Sequence, residues 1–219
     1  MRTDPSSLRL LRVLQLFDSQ FPVGAFAHSG GLETYASLGG GLAELREILH
    51  GQVALGWGRS ELAAAHLAWR CDDDVSIAQL ALTVDALKVV PAVRNASLGL
   101  GRRTQELLRR LYPEAATAID PPHHALVVGV AGRRLGLDAH DLLLAYGQSL
   151  AMGTLAAALR CMTLAPAQAQ TLLVELHGDL ARAAERALAD PEACLFTCTP
   201  ALDIRSHEQA FLRTRLFQS

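Results

Sequence analysis

The residues of this chain that could bind a metal ion are spread along the sequence and form no cluster. The 219 residues include eight histidines and four cysteines, and only His28, His123 and His207 are retained as weak metal-ligand candidates. His124 directly follows His123, and neighbouring side chains at the start of a helix point to opposite sides. The histidines therefore predict no tight metal site.

The cysteines and the acidic residues lead to the same interpretation. Cys71 precedes the triplet Asp72–Asp74, but no second group of ligands lies near it in the sequence, so the triplet is interpreted as a helix cap. Cys194 and Cys198 do not have a standard zinc spacing, because no second pair accompanies them. Four scattered cysteines make no disulfide framework, and they fit a reducing cytoplasm.

The sequence lacks the common motifs of enzyme chemistry. It contains no Gly-x-x-x-x-Gly-Lys-[Ser/Thr] phosphate loop, no Gly-x-Ser-x-Gly elbow and no His-Glu-x-x-His helix. One predicted helix, which opens at Pro91, carries a series of arginines: Arg94, Arg102, Arg103, Arg109 and Arg110. These side chains could contact an acidic partner or a nucleotide, although such a series is more often a solvated helix face.

Composition and hydrophobic spacing predict the elements that must position these residues. Half of the residues are hydrophobic and only 5% are aromatic, and this alanine- and leucine-rich mixture favours helices over strands. Helices are predicted over about 4–19, 60–70, 76–89, 92–112, 125–136, 138–164 and 167–189. A short helical turn is predicted around 32–35, and a further helix begins at 42 and is broken within 51–58. We predict an all-α, single-domain helical bundle over residues 1–219, with an irregular C-terminal tail from about 191 to 219.

The charge balance indicates a protein partner. The net charge of −2 provides no basic field for nucleic acid. Charged residues make up 19% of the chain, below the roughly 25% of typical soluble domains. Few charges and a mean hydropathy of +0.20 predict apolar surface that a partner covers. Residues 1–4 show no secretory signal.

The helix predicted over 138–164 is nearly free of charge. Arg160 is the only formal charge between Leu142 and Val174, so a membrane span has to be considered. The segment is rich in alanine, glycine, serine, threonine and glutamine, which favours the centre of a soluble bundle instead. A ridge of small residues at four-residue spacing predicts close approach by another helix: Ala145, Ser149, Gly153 and Ala157. A cation on such a helix needs a partner, and Glu33 is the predicted one.

The stretch Phe21–Tyr35 has the least ordinary composition of the chain. Pro22 fixes its own φ, Gly24 permits a bend, and two phenylalanines suggest a loop packed against the core. His28 or Ser29 is expected to cap the following helix, with Glu33 in its first turn. Taken alone, the stretch is a buried connection between two helices.

The same stretch resembles the N-terminal signature of the UreF family of urease accessory proteins. The resemblance rests on Pro22, Gly24, Phe26, His28, Ser29, Leu32 and Glu33. Further matches are Gly101-Arg102-Arg103 and the spacing of Arg160, Leu164 and Gln170. In the C-terminal part of the chain, His207-Glu208 and Arg215–Ser219 also match the family pattern. The chain departs from the family pattern at Thr163, Ala165, Pro166 and Ala169. The matches extend from residue 22 to residue 219.

The resemblance implies a function that needs no reaction centre. It implies an all-α, cytoplasmic homodimer that bridges the D/H-type accessory protein and the G-type GTPase during GTP-dependent nickel insertion into apo-urease. It implies no nucleic-acid or membrane partner and no tightly bound cofactor, although nickel would pass transiently through the complex. The helices of the dimer face, the nickel path and the order of the free tail stay open at this stage.

We form a hypothesis about the roles of individual residues on the basis of this resemblance. The central body would be shaped by Pro22, Gly24, Phe26, His28, Ser29, Leu32, Glu33, Arg160 and Gln170. The tail would dock on the D/H-type partner through Arg213, Arg215, Leu216, Phe217 and Ser219. Two alternatives remain: a regulator that activates or gates the GTPase through Arg94, Arg102 or Arg103, and a nickel-storing protein that uses His28, His123 or His207.

Overall fold

Helices make up the regular structure of this chain. The computed structural model describes residues 4–24, 28–213 and 216–217, and no strand occurs within these ranges. The helices are α1 (Pro5–Leu16), α2 (Leu32–Ser37), α3 (Leu42–Leu55), α4 (Trp57–Arg70), α5 (Asp74–Leu87), α6 (Pro91–Leu111), α7 (His124–Arg134), α8 (Ala139–Cys161), α9 (Pro166–Ala189), α10 (Pro191–Cys194) and α11 (Pro200–Glu208). The all-α prediction is confirmed.

Helix α4 lies at the centre of the packing and touches α3, α7, α8 and α9. Its buried face consists largely of alanine, including Ala65 and Ala68, each 0% exposed. Gly129 of α7 lies against this face, and a Cβ atom there would be 2.1 Å from the carbonyl oxygen of Ala65. Small residues on both helices therefore allow the two backbones to approach closely.

Helix α8 is a core helix despite its composition. By length and hydropathy Ala139–Cys161 could cross a membrane, but Leu142, Leu143 and Tyr146 are fully buried and the helix packs on α4 and α9. The predicted close helix contact along its small-residue ridge is wrong at Gly153, where an added Cβ would meet nothing within 4 Å. This part of the ridge lines a cavity instead.

Most predicted helix boundaries agree with the structure, and one cap differs. The predicted break falls at Gly56, between α3 and α4, and Asp73 caps α5 by accepting from the backbone N–H of Ser76 at 2.8 Å. Neither His28 nor Ser29 caps α2: the N-cap is Gly31, in the left-handed region at φ +93°. Ser29 lies two residues before this N-cap, and its hydroxyl donates to Gln209 Oε1 at 2.8 Å.

The C-terminal tail is more regular than predicted. Instead of an irregular segment after residue 191, it contains α10, α11 and a 3-10 turn at Gln209–Phe211. Prolines occupy the first helical position of both helices, where their missing N–H is not needed. Sequence periodicity does not detect helices as short as α10 and α11. Near the end of the described residues, Phe217 is 5% exposed and joins the hydrophobic core.

Candidate functional site

The N-terminal signature and the C-terminal tail meet in a buried polar contact. Two glycines before α2, Gly30 and Gly31, adopt left-handed φ values of +58° and +93°. A Cβ atom on Gly31 would lie 2.7 Å from Ser206 Oγ and 2.9 Å from Ser206 N. Gly31 therefore has two reasons to be glycine: its backbone conformation and the tail helix α11 packed directly on it.

Gln209 is the centre of this contact. Its Oε1 atom accepts hydrogen bonds from Ser29 Oγ at 2.8 Å and from the Gly31 backbone N–H at 3.2 Å. Its Nε2 atom donates to Glu33 Oε2 at 3.1 Å. Gln209 is 2% exposed, Ser29 5% and Glu33 7%. The donors and the carboxylate together fix the orientation of the side-chain amide.

Two further hydrogen bonds extend the contact along the tail. The backbone N–H of Leu216 donates to Glu33 Oε1 at 2.5 Å, and Thr34 Oγ1 donates to the carbonyl oxygen of Arg205 at 2.9 Å. We call the set Ser29, Gly31, Glu33, Thr34, Arg205, Gln209 and Leu216 the signature–tail contact. It joins positions more than 170 residues apart in sequence.

Arg160 lies beside this contact, although not in the predicted way. Its guanidinium carbon lies 5.2 Å from the ring centroid of Phe217, a cation–π arrangement. The predicted ion pair between Arg160 and Glu33 is wrong: among the described residues, the two Glu33 oxygens accept from Gln209 and from Leu216. Arg160 is exposed at the end of α8, so solvent reaches its charge.

The other residues of the predicted body are distributed as follows. Pro22 is exposed, Leu32 is 1% exposed, and Gly24 has φ +77°. Arg103 donates from Nη1 to the Val23 carbonyl oxygen at 2.7 Å and occupies the space that a Gly24 side chain would fill. Gln170 is exposed on α9. Phe26 lies outside the described residues.

The predicted partner-binding residues divide into two groups. Arg213 is exposed and Leu216 is 67% exposed, whereas Phe217 is 5% exposed. Phe217 could therefore reach a partner only if the tail left the bundle. Arg215 and Ser219 lie outside the described residues. Phe211, which the sequence did not single out, is 78% exposed.

The histidine candidates for metal binding have separate environments. Burial and the nearby charge of Arg103 lower the pKa of His28. His123 is 0% exposed; its Nδ1 lies 3.2 Å from Ser97 Oγ and its Nε2 3.0 Å from Asp85 Oδ1. Burial lowers its pKa despite this carboxylate. His207 is exposed on α11.

Metal-ligand geometry occurs elsewhere among the described residues. The group found there is Asp138, His140 and Asp141, which is exposed at the start of α8. Asp138 already accepts from the backbone N–H groups of residues 140 and 141 as an N-cap. This group therefore has a structural explanation that requires no ion.

Sequence reasoning missed a buried charge cluster between α4 and α5. Lys88 and Glu61 form an ion pair in which the side chains are only 10% and 12% exposed. Tyr146 donates to Glu61 Oε2 at 3.2 Å, and His124 Nδ1 lies 3.3 Å from the same hydroxyl. Burial lowers the pKa of His124 to about 4. The sequence feature that could have indicated this cluster is Lys88, because it is the single lysine of the chain.

Fold and site together define an all-helical protein in which a buried polar contact ties the tail to the N-terminal signature. A profile of the UreF family matches residues 41–177. The chain is 29% identical over 218 residues to "Urease accessory protein UreF" of Nostoc sp., and 28% identical over 221 residues to the protein of that name from Haemophilus influenzae. These comparisons cover 95% and 94% of this chain, and the same shares of the two relatives.

A third relative, from Actinobacillus pleuropneumoniae, is 29% identical over 221 residues, with 94% of this chain and 97% of the relative covered. The chain belongs to the UreF family. It is therefore a urease accessory protein and not an enzyme. The family profile covers α3 to α8, including Arg160, and the first half of α9, whereas Gln209 and its partners at 29–33 lie outside the matched span.

Proposed function

We propose that this protein is a cytoplasmic scaffold of urease maturation that works as a homodimer. It holds the G-type GTPase and the D/H-type accessory protein together during GTP-dependent nickel insertion into apo-urease. Membership of the UreF family supports the maturation role. Nickel is cargo in this scheme: it passes transiently through the assembly, and the chain binds no cofactor tightly.

One observation supports the docking role of the tail most directly. The signature–tail contact holds the tail by Gln209 and by backbone groups, and it leaves apolar side chains facing solvent. Phe211 is 78% exposed and Leu216 is 67% exposed, and Arg213 is exposed between them. Exposed aromatic, aliphatic and arginine side chains on an ordered segment are the usual anchors of a protein interface.

In this proposal the two ends of the tail have different tasks. Gln209 and Phe217 fix the tail to the bundle, while Leu216 and Arg213 contact the D/H-type partner. The signature loop with Arg160 and Gln170 shapes the surface of the body that the dimer and the GTPase recognise. Arg215 and Ser219 belong to the same docking segment by sequence.

The test is a pull-down of the D/H-type partner with single variants of the full chain. Leu216→Asp places a charge where an apolar anchor is proposed, and we expect the apparent Kd to rise at least tenfold, which corresponds to about 1.4 kcal/mol. Val174→Asp on α9 is the matched control, because Val174 is 65% exposed and lies away from the tail in sequence. Equal binding by both variants would contradict the docking role.

A second candidate function is regulation of the GTPase by an arginine. Two of the predicted arginines are already engaged: Arg94 Nε donates to Asp85 Oδ1 at 2.6 Å, and Arg103 donates to the Val23 carbonyl oxygen. Arg102 is exposed on α6 and is the candidate that this arrangement favours. Arg102→Ala should change GTP turnover in the assembled complex, and unchanged turnover would remove this candidate.

A further inference from the structure

The outward side of helix α5 is an apolar surface that the bundle leaves exposed. On its inward side Ile77, Ala81 and Val84 are buried, and the helix packs on α4. On its outward side Val75 is 68% exposed and Leu82 is 65% exposed. A helix that is apolar on both sides is normally covered on both sides, so a further element is expected to lie on the outward one.

The exposed apolar side chains of α5 have heptad spacing. Val75, Leu82 and Val89 follow one another at intervals of seven residues, and Val89, just beyond the end of α5, is 75% exposed. Ala78 and Ala86 are exposed between them on the same side of the helix. Large and small apolar residues at this spacing form the seam that one helix presents to another. We call these five residues the α5 row.

The row is uncharged along the helix and at its carboxyl end. From Val75 to Val84 the sequence contains no Asp, Glu, Lys or Arg. The charged residues that follow are already paired, Asp85 with Arg94 and Lys88 with Glu61. A partner that covers this part of the row therefore meets neither an open charge nor a strong polar group.

The amino end of the row carries one surplus negative charge. Three carboxylates and two guanidinium groups surround the small surface cavity at this end: Asp72, Asp73, Asp74, Arg133 and Arg134. Arg133 pairs with Asp72, and Asp73 caps α5. Asp74 is exposed and has no ion pair among the described residues. A partner that suits this surface brings a cation to Asp74.

The charges favour a helix of another protein over a second copy or a membrane. If two copies paired antiparallel, Asp74 would meet the end where Lys88 and Arg94 are already paired, and if they paired in parallel, Asp74 would meet its own copy. Helices that bind membranes carry Lys or Arg on the polar face and Trp or Phe on the apolar one. The sequence from Val75 to Val84 contains none of these residues.

We propose that the α5 row docks an amphipathic helix of a partner protein. The docked helix places large apolar side chains over Ala78 and Ala86 and small ones over Leu82, and a Lys or Arg at its end lies beside Asp74. Helix α5 has 14 residues and is roughly 21 Å long, so about four turns of the partner cover it. The row shares no residue with the tail, and this inference goes beyond the scaffold function proposed above.

The probe is a stapled helical peptide of about four turns, with leucine at heptad spacing, alanine between the leucines and glutamine elsewhere. A lysine at each end allows either orientation to bring a cation to Asp74. Fluorescence anisotropy with the full chain measures the Kd of the labelled peptide. We expect saturable binding with a Kd below about 100 μM.

Two lysine variants separate the apolar row from the effect of added charge. Leu82→Lys and Thr83→Lys introduce the same side chain at adjacent exposed positions of α5, but Thr83 lies off the row, and its hydroxyl donates to the Gln79 carbonyl oxygen at 3.1 Å. We expect Leu82→Lys to raise the Kd at least tenfold and Thr83→Lys to change it less than threefold. Circular dichroism verifies that both variants are folded.

A second peptide tests the cation. It carries glutamate instead of lysine at both ends, and it should bind the wild-type chain roughly two- to fivefold more weakly, as expected for one exposed ion pair. Asp74→Asn should abolish this preference for lysine. A preference that persisted in the variant would contradict the role assigned to Asp74.

Three further results would overturn the proposal. Equal Kd values for Leu82→Lys and Thr83→Lys would show that the peptide does not bind to the row. Loss of binding in Leu216→Asp would place the peptide on the tail instead. Conversion of a dimer to a monomer by Leu82→Lys, seen by light scattering, would assign the row to a second copy of this chain.

Discussion

The α4–α7 interface and the signature–tail contact are both buried, but different forces hold them. Between α4 and α7, alanine and glycine let the backbones approach until no room remains for a methyl group at Gly129. In the signature–tail contact, one amide and one carboxylate, Gln209 and Glu33, carry most of the connection. Close packing of small residues holds α4 against α7, whereas the signature–tail contact is held mainly by hydrogen bonds.

This difference sets how easily each region can separate. A neutral hydrogen bond contributes about 1 kcal/mol net, and one to a charged group about 1.5–3 kcal/mol. At these values the three neutral and two charge-assisted hydrogen bonds of the signature–tail contact contribute roughly 6–9 kcal/mol, which is comparable with the roughly 5–15 kcal/mol that a folded domain has in total. A partner would therefore need several anchors, each contributing a few kcal/mol, to reposition the tail.

The largest effect is expected from filling the space at the α4–α7 interface. Gly129→Ala would place a methyl group 2.1 Å from the Ala65 carbonyl oxygen, so one backbone must move, and we expect a loss of about 3 kcal/mol in the free energy of unfolding by urea. Gly51→Ala is the control, because nothing lies within 4 Å of its added Cβ. That variant should gain about 0.5–1 kcal/mol, as alanine does in a helix interior. Equal changes in the free energy of unfolding for the two glycine variants would contradict the conclusion that close packing holds the α4–α7 interface.

The second prediction concerns His124 in the bundle interior and the way it makes the stability of the protein depend on pH. The folded pKa of His124 is about 4 and its unfolded pKa about 6.5, so between these values the unfolded chain binds more protons and stability rises with pH. The contribution is fully present above pH 6.5 and is lost as the pH falls toward 4.

Between pH 6.5 and 5, His124 should account for a loss of about 2 kcal/mol. Urea unfolding of the wild-type chain and of His124→Gln at pH 7, 6 and 5 measures this term. Burial also lowers the pKa values of His28 and His123, so the difference between the two proteins is the relevant quantity. Parallel pH profiles would show that His124 is not the titrating group.

A local effect, confined to the tail, is expected at the signature–tail contact. Gln209→Ala leaves Ser29, Gly31 and Glu33 without their common partner, and we expect about 2 kcal/mol less protection of the tail. Hydrogen exchange of residues 200–217 should accelerate, while the far-ultraviolet dichroism of the bundle stays within error. Gln170→Ala, on the exposed face of α9, is the control and should change neither quantity. A global loss of helicity in the Gln209 variant would mean that tail and bundle unfold as one unit.

Periodic and capping signals predicted most of the helices, because these signals are local. Leu42, Leu45 and Leu49 have helical spacing, Asp73 stands where a cap is needed, and closely spaced glycines marked the break at Gly56. The family signature pointed to a stretch of chain that makes a buried contact with the tail, although the predicted partner of Glu33 was wrong. A side chain 176 positions away cannot be inferred from spacing, and Arg160 was chosen only because it too carried an isolated charge.

The tail and the charge cluster were missed for related reasons. Helix α11 spans nine residues. Its position is fixed by contact with the signature residues and not by an amphipathic repeat that the sequence would show. Glu61 lies on α4, and Lys88 follows the last residue of α5, 27 positions away. The sequence around either residue therefore does not show that the other neutralises its charge. Only the rarity of lysine in this chain hinted that Lys88 was unusual.

The length of chain between Glu33 and Gln209 also has a consequence for biosynthesis. A ribosome must add 176 residues after Glu33 before its carboxylate can meet the amide that satisfies it. Helices α3 to α9 emerge within that interval, so the bundle can assemble first while the signature is still open. We therefore expect closure of the two ends to be a late event in the production of each molecule.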